Sequence, residues 1–158
     1  METIFQIGDK IVYPMHGAGI IEAIEEKEIL GDKQLYYVMF IKNMQVMFPL
    51  NCKNGVREIV NSDVLEDALT IFDNEASLVI DNPSQRQRNN MNKLKSGNIY
   101  EGVQVIRDLV QMGKKKNLAM GDKTMLDNAL QILTSELILV KGIDQEEANQ
   151  LLDQVINK

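Results

Sequence analysis

The sequence predicts an α+β protein of two domains, a small SH3-like or Tudor-like antiparallel β-barrel followed by an all-α helical bundle. Two observations predict this division. Up to about residue 59 the apolar residues form short strand-like runs between tight turns, whereas from Ser62 onward they recur at helical spacing. A chain of 158 residues is long enough for two small domains. We therefore expect the domains at residues 1–61 and 62–158.

The first two strands are joined by a sharp bend. Residues 11–13 are β-branched or aromatic, and residues 20–29 resume the strand pattern. Between them Pro14 removes a backbone donor, while Gly17 and Gly19 permit unusual backbone angles. Two short strands bent so sharply are typical of a small, strongly curved barrel.

Three further strands complete the predicted barrel. Turns at residues 31–33 and 42–43 separate them, and Pro49 ends the strand that precedes it. The strands themselves are predicted at residues 35–41, 46–48 and 56–60.

The helices of the second domain are predicted from apolar stripes and capping residues. Ser62 or Asp63 suits the N-cap of the first helix, and Ser84 with Gln87 has the spacing of a capping box. Asn98 suits the next cap. A long helix, with Ala119 at its N-cap, ends at residues 141–142, and residues 144–147 form a capping box for the last one.

Composition excludes several classes of protein. The chain is 44% hydrophobic and 25% charged, which is typical of globular proteins. Cys52 is the only cysteine, so an internal disulfide or a cysteine-rich metal site is excluded. With no signal-peptide pattern and no apolar run of membrane-spanning length, we expect a cytoplasmic protein that does not enter membranes.

Charge is unevenly distributed along the chain. The net charge is -6, yet residues 82–141 hold 10 basic and 5 acidic side chains, and residues 82–100 hold no acidic one. Such a basic block inside an acidic chain suits a phosphate-facing surface. A solvated helix face with neutralising counterions is the alternative.

The sequence offers little for catalysis. His16 is the only histidine and lies in a turn, and Cys52 therefore has no second histidine to act as its base. We predict no enzyme, no metal site, no cofactor and no small-molecule substrate. A methyl-lysine cage is one use for the aromatic residues of a Tudor-like barrel, but barrel aromatics of this kind more commonly form the core. The aromatic residues concerned are Tyr13, Tyr36, Tyr37, Phe40 and Phe48.

The sequence resembles the CarD family of bacterial transcription regulators over nearly its whole length. The likeness rests on YPMHG at 13–17, NPSQR at 82–86, VIRDL at 105–109, KTML at 123–126 and QILTSEL at 131–137. The resemblance implies that the barrel docks on the RNA polymerase β subunit. It also implies that the helical domain touches promoter DNA at the upstream edge of the transcription bubble.

Two basic barrel residues usually support docking in this family. Lys27 matches the first of these positions, whereas Met47 occupies the second, shortly before Pro49. We therefore expect docking at Lys27, Met47 and Pro49 to depend more on apolar contact and on pairing of strand edges.

The family often carries a wedge tryptophan at the start of its first basic helix, and here that position is Pro83. The resemblance assigns DNA contact to Pro83, Arg86, Arg88, Lys93 and Lys123, while Gln85 replaces a frequent arginine. Arg86 and Arg88 diverge by about 200° on a helix, so they cannot both point at one phosphate. The resemblance favours Arg88 together with Lys123 as the pair that meets DNA. Binding should be weak and largely independent of base sequence.

These inferences predict a non-enzymatic transcription regulator that modulates open-complex stability. The alternative is a protein–protein adaptor of the transcription machinery with no direct DNA contact, which the net charge and the missing tryptophan favour. Salt dependence of DNA affinity separates the two.

Overall fold

The computed structural model describes residues 4–51, 55–75 and 82–157. In these ranges an antiparallel five-stranded sheet precedes the helices, which confirms the predicted fold class. The strands are β1 (Lys10–Tyr13), β2 (Gly17–Ile29), β3 (Asp32–Ile41), β4 (Met44–Pro49) and β5 (Arg57–Glu58). The helices are α1 (Ser62–Leu69), α2 (Pro83–Lys95), α3 (Ile99–Lys115), α4 (Met120–Lys141) and α5 (Gln145–Ile156), with a 3₁₀ turn at Thr70–Asp73.

Strand β2 gives the sheet its bend. The strand order is β4-β3-β2-β1-β5, and β2 pairs with β1 through its first residues and with β3 through the rest. The β2–β3 register shifts between Ile21 and Ala23, and such a bulge bends and twists a strand. Gly19 is required nearby, because a Cβ atom there would lie 2.5 Å from the Phe40 carbonyl oxygen. The turn predicted between the first two strands is found at residues 14–16, where Met15 and the following Gly17 have positive φ (72° and 123°), and the bulge in β2 is a separate feature.

The β2–β3 and β3–β4 hairpin turns each contain two residues of positive φ, as two-residue hairpins of type I′ require. The β3–β4 turn is Lys42–Asn43, as predicted. The β2–β3 turn is Leu30 and Gly31, with φ of 54° and 85°, so the turn predicted at residues 31–33 is wrong by one position. Leucine rarely adopts positive φ, so Leu30 was not predicted to be part of this turn from the sequence.

The predicted strand at residues 56–60 is shorter than expected. Arg57 and Glu58 pair with β1, and the Ile59 amide still donates to the Lys10 carbonyl oxygen of that strand (3.1 Å). The Val60 amide donates to the Glu136 carboxylate of α4 instead of to a neighbouring strand (2.9 Å). The chain thus leaves the sheet where it meets the helices.

The β domain has its own core beneath the sheet. Tyr37 and Phe48 are buried with ring centroids 5.2 Å apart, and Tyr37 hydrogen-bonds the backbone of Phe5. The core interpretation is thus confirmed for these two aromatics, while Phe40 is exposed on the opposite face.

Two helix N-caps differ from the predicted residues. Asn61, and neither Ser62 nor Asp63, caps α1 by accepting from the Val64 amide (2.9 Å). Asn82 caps α2 by accepting from the Gln85 amide (3.1 Å), so the predicted Ser84–Gln87 capping box is wrong. Pro83 occupies the first helical position, where its fixed φ and missing donor start a helix one residue before Ser84.

The other predicted helix ends are confirmed. Asn98 caps α3, and the Asp144–Glu147 capping box is present at α5. Ala119 precedes α4 without a side-chain hydrogen bond, and Gly142 ends that helix in the left-handed conformation. No helix of the described ranges is long and apolar enough to cross a membrane.

Helices α3 and α4 form the centre of a second core. Val103, Ile106 and Leu137 are fully buried there, and α1 packs beside them. Tyr100 donates a hydrogen bond to the Asp67 carboxylate of α1 (3.0 Å), and this bond raises the pKa of the Tyr100 hydroxyl. The raised pKa keeps the hydroxyl protonated to a higher pH than that of an ordinary tyrosine, and its bond to Asp67 links α1 to α3.

Candidate protein and nucleic-acid interfaces

The residues predicted to dock on polymerase share one face of the sheet. Direct cross-strand partners point to the same side, and successive residues alternate. Met47 and Pro49 of β4 lie opposite Val38 and Tyr36 of β3, and Lys27 of β2 lies opposite Gln34 of β3. The three partners on β3 are spaced two residues apart, so their side chains point to the same side of the sheet. The register thus places Lys27, Met47 and Pro49 on the side opposite the buried Tyr37 and Phe48. We call this side of β2, β3 and β4 the outer sheet face.

The outer sheet face carries exposed apolar side chains. Of the three residues predicted to dock on polymerase, Lys27 is charged and the other two are apolar. Ile20 and Phe40 are direct partners on it and are 36% and 42% exposed. Met47 and Pro49 are half-buried, whereas Lys27 is exposed on the hairpin. In the described sheet β4 is an edge strand, so its outer backbone groups face no other strand. This arrangement is suited to apolar contact and strand pairing with a partner.

The basic residues of α2 divide into buried and exposed ones. Arg86 is only 9% exposed, and its guanidinium donates to both carboxylate oxygens of Asp122 on α4 (2.7 and 3.3 Å). Asp122 is itself 1% exposed. The guanidinium therefore joins the first turns of α2 and α4, and its predicted contact with DNA does not fit this burial. We exclude Arg86 from the exposed basic surface.

Arg88 and Lys123 are exposed, as predicted. Arg88 lines a groove of about 740 Å³ between α2 and α4, together with Gly121 and Thr124, which flank Lys123. Lys95, seven residues after Arg88 and on the same face of α2, is also exposed. We call Arg88, Lys95 and Lys123 the basic α2–α4 surface.

Lys93 and Pro83, which were also predicted to contact DNA, lie outside the basic α2–α4 surface. Lys93 is half-buried and donates to the Gln104 side chain on α3 (3.2 Å), which directs it toward a neighbouring helix. Pro83 is exposed at the first position of α2, one turn before Arg86. The Arg86–Asp122 pair thus holds Pro83 at the end of the bundle where α4 also begins.

No catalytic cluster is found in the described ranges. His16 is exposed, and its ring lies 4.9 Å from that of Tyr13. Cys52 lies outside the described residues. Within those residues, no group of three or more histidine, cysteine and acidic side chains is arranged to hold a metal ion.

The contact between the two domains is built around Glu136 of α4, which the sequence analysis did not single out. Both oxygens of this carboxylate accept from the Arg57 guanidinium (2.7 and 2.8 Å), and Glu136 is 1% exposed. Arg57 also donates through Nε to the Gly97 carbonyl oxygen. The sequence does contain a signal for this pair. Glu136 lies next to the apolar stripe of Leu133 and Leu137, and a carboxylate buried there needs a charged or hydrogen-bonding partner.

Comparison with known proteins agrees with the geometry of the two domains. A family model described as the CarD-like/TRCF RID domain matches residues 5–60, and the model of the CarD C-terminal domain matches residues 64–153. A protein of Bacillus subtilis (strain 168) named "Putative transcription factor YdeB" is 48% identical over 148 residues, covering 91% of this chain and 97% of that protein. The chain therefore belongs to the CarD-like family of transcription factors.

Proposed function

We propose that the protein regulates transcription by binding the RNA polymerase β subunit through its outer sheet face and promoter DNA through its basic α2–α4 surface. In this arrangement the DNA contact lies at the upstream edge of the bubble and changes the lifetime of the open complex. The function involves no chemical step, cofactor or small-molecule substrate, and transcription in bacteria places the protein in the cytoplasm.

The observation that carries the proposal is the position of the basic α2–α4 surface relative to the domain contact along α4. Lys123 lies in the first turns of this helix, and Glu136, thirteen residues later, contacts the β domain. The rise between them is about 20 Å, and their side chains point about 140° apart. A β domain bound to polymerase would thus present Lys123 away from the domain contact, toward a second partner.

The chemistry of the basic α2–α4 surface fits phosphate better than bases. Three separate cations can each meet a backbone phosphate, whereas recognition of base edges uses paired donors and acceptors in a groove. Pro83 has no flat ring to stack on an unpaired base. We therefore expect weak DNA binding with little sequence preference, and polymerase supplies the position on the promoter.

The competing function is that of an adaptor whose helical domain binds another protein. The burial of Arg86 favours it, because one of the predicted DNA-contacting cations is occupied by Asp122. The net charge of -6 also opposes general attraction to DNA. The two functions differ in their salt dependence, since phosphate contacts release counterions and an adaptor of this kind makes none.

The test is the double variant Arg88→Glu with Lys123→Glu in the full chain. We expect it to lose the effect on open-complex lifetime while binding polymerase normally. The slope of log DNA affinity against log salt concentration should become less negative, by the amount expected for the loss of about two phosphate contacts. Both residues are exposed, so the free energy of unfolding should change by less than about 0.5 kcal/mol.

The matched control adds negative charge on α5, at the exposed residues Gln150 and Gln154. Gln150→Glu with Gln154→Glu should leave the lifetime effect unchanged. If the Arg88 and Lys123 variant regulates open complexes as well as the wild type does, direct DNA contact by these residues is refuted and the adaptor function is favoured.

A further inference from the structure

We propose that the Arg57–Glu136 pair is a positioning element that fixes the angle between the β domain and the helical domain, and that regulation of the open complex depends on this fixed angle. The second half of this inference rests on the proposed function. The first half concerns the free protein alone and can be tested without polymerase or DNA.

The pair joins elements that are distant in the chain. Arg57 lies on β5 and Glu136 on α4, and the two guanidinium–carboxylate bonds are parallel and short. A bidentate pair of this kind restricts rotation as well as distance, because both planar groups must stay aligned. The remaining hydrogen bond to Glu136 comes from the Val60 amide, at the point where the chain passes from one domain to the other.

A second contact beside the pair restricts the same movement. The Ser135 hydroxyl accepts from the Ala18 amide of β2 (2.8 Å) and donates to the Ile132 carbonyl of its own helix (2.7 Å). The approach at this point is close, since a Cβ atom at Gly17 would lie 2.8 Å from the Ser135 hydroxyl oxygen. The neighbouring residues Ser135 and Glu136 thus bind β2 and β5, on either side of β1.

Little free space remains immediately beside the Arg57–Glu136 pair. The cavity beside Arg57 and Glu136 measures about 30 Å³, and its walls come from both domains, with Val12 and Pro14 on one side and Leu133 on the other. A larger cavity of about 200 Å³ lies between the domains beyond Ser135, with Ile20 of the sheet on one side and Ile138 of α4 on the other. Packing therefore leaves room for movement there, and the polar contacts of Ser135 and Glu136 restrict it.

Helix α4 converts a small rotation at the pair into a large displacement at the DNA-facing end. Lys123 lies about 20 Å along the axis from Glu136. A rotation of 10° about the pair would move Lys123 by about 3.5 Å, which exceeds the length of a charge-assisted hydrogen bond. A protein bound to polymerase but free to rotate would still bind DNA, yet it would no longer hold one fixed site at the bubble.

The experiment uses the full chain with two variants of the pair. Glu136→Gln keeps the shape of the side chain and removes its charge, and Arg57→Lys keeps the charge and removes the bidentate geometry. Spin labels on exposed residues report the angle, at Lys10→Cys on β1 and Asn149→Cys on α5, in a Cys52→Ser background. The same variants, unlabelled, are measured for polymerase affinity, DNA affinity and open-complex lifetime.

We expect each variant to broaden the interdomain distance distribution at least twofold, to keep both affinities within twofold, and to lose most of the effect on open-complex lifetime. Asp122→Asn is the control for the distance measurement, because it removes charge from a buried pair that lies inside the helical domain. The interdomain distance distribution should stay narrow in this variant. Glu66→Gln disrupts an exposed ion pair with Lys141 and should leave the lifetime effect unchanged.

The outcomes separate the two proposals. Narrow distances in both variants of the pair would overturn the positioning role, and so would broad distances with a normal effect on lifetime. Loss of either affinity would also overturn it, because the variants would then damage a binding surface. If the wild type itself leaves the lifetime unchanged, the proposed function fails, and the distances alone still decide whether the pair fixes the angle.

Discussion

The two ends of α4 are each held by an arginine–carboxylate pair, but the pairs belong to different environments. At the start of the helix Asp122 binds Arg86, whose side chain is 10% exposed, within the helical domain. Toward the other end Glu136 binds Arg57, whose side chain is 26% exposed, between the domains. The two carboxylates lie about 40° apart around the helix, on its buried side. One helix thus organises both the basic end of the bundle and the domain contact.

This difference shows that position on a basic helix does not determine the role of an arginine. Arg86 and Arg88 are two residues apart in a segment without acidic side chains, yet Arg86 pairs with Asp122 while Arg88 faces solvent. The partner of Arg86 lies 36 residues away on another helix. A stretch of positive charge therefore supplied both a buried pair and an exposed surface.

The largest effect on the free energy of unfolding is expected when Arg86 is replaced, and the matching change at Arg57 gives the comparison between the two pairs. Arg86→Met leaves a buried, unpaired Asp122 and should lower the free energy of unfolding by about 3–5 kcal/mol. Arg57→Met should cost less, because water can approach Glu136 through the more exposed Arg57 position. Urea unfolding of the two variants measures both changes.

DNA affinity sharpens the same comparison. Under conditions where Arg86→Met is folded, we expect its affinity for DNA to stay within twofold of the wild type, because the native guanidinium is bound to Asp122. A loss as large as that of Arg88→Glu would show that Arg86 leaves Asp122 to bind phosphate.

The next prediction concerns the exposed Pro83 at the start of α2. If this position borders the bubble, Pro83→Trp adds a ring that stacks on a base, with about 1–3 kcal/mol per stacked base. Open-complex lifetime should then increase roughly tenfold, and Pro83→Ala should shorten it. Ser84→Trp is the control, since it places the same ring one residue later. Equal lifetimes for all four proteins would limit Pro83 to starting the helix.

The outer sheet face is tested by a single charge reversal. If the partner surface is acidic, Lys27→Glu places like charges together and should weaken polymerase binding by about tenfold, or about 1.4 kcal/mol. Lys33→Glu is the control, since Lys33 pairs with Glu28 and points to the other side of the same hairpin. Equal loss in both variants would contradict docking through the outer sheet face.

Much of the fold was predictable because its signals are local. Alternating apolar residues predicted β1 to β4, and helical stripes with Asn98, Gly142 and the Asp144 capping box predicted most helix ends. The buried pairs were not predictable in the same way, since Arg57 and Glu136 are 79 residues apart and only the packed domains bring them together. The boundary between residues 61 and 62 and the binding roles of the predicted site residues stay predictions.

Local signals also fail where two neighbouring residues can perform the same task. Asn82 and Ser84 are both good N-caps, and the sequence pattern favoured Ser84 because Gln87 follows at the spacing of a capping box. The competition was decided by Pro83, whose ring suits the first helical position and thereby assigns the cap to the residue before it.

The smallest effect is expected at this cap, which stabilises the first turn of α2. Asn82→Ala removes the acceptor of the Gln85 amide and should cost about 1 kcal/mol, whereas Ser84→Ala should change the free energy of unfolding by less than about 0.5 kcal/mol. Hydrogen exchange of the Gln85 amide should accelerate in the Asn82 variant alone. A larger cost for Ser84→Ala would instead return the cap to Ser84 and start the helix two residues later. Pro83 would then lie before the helix, and the stacking expected of Pro83→Trp would lose its support.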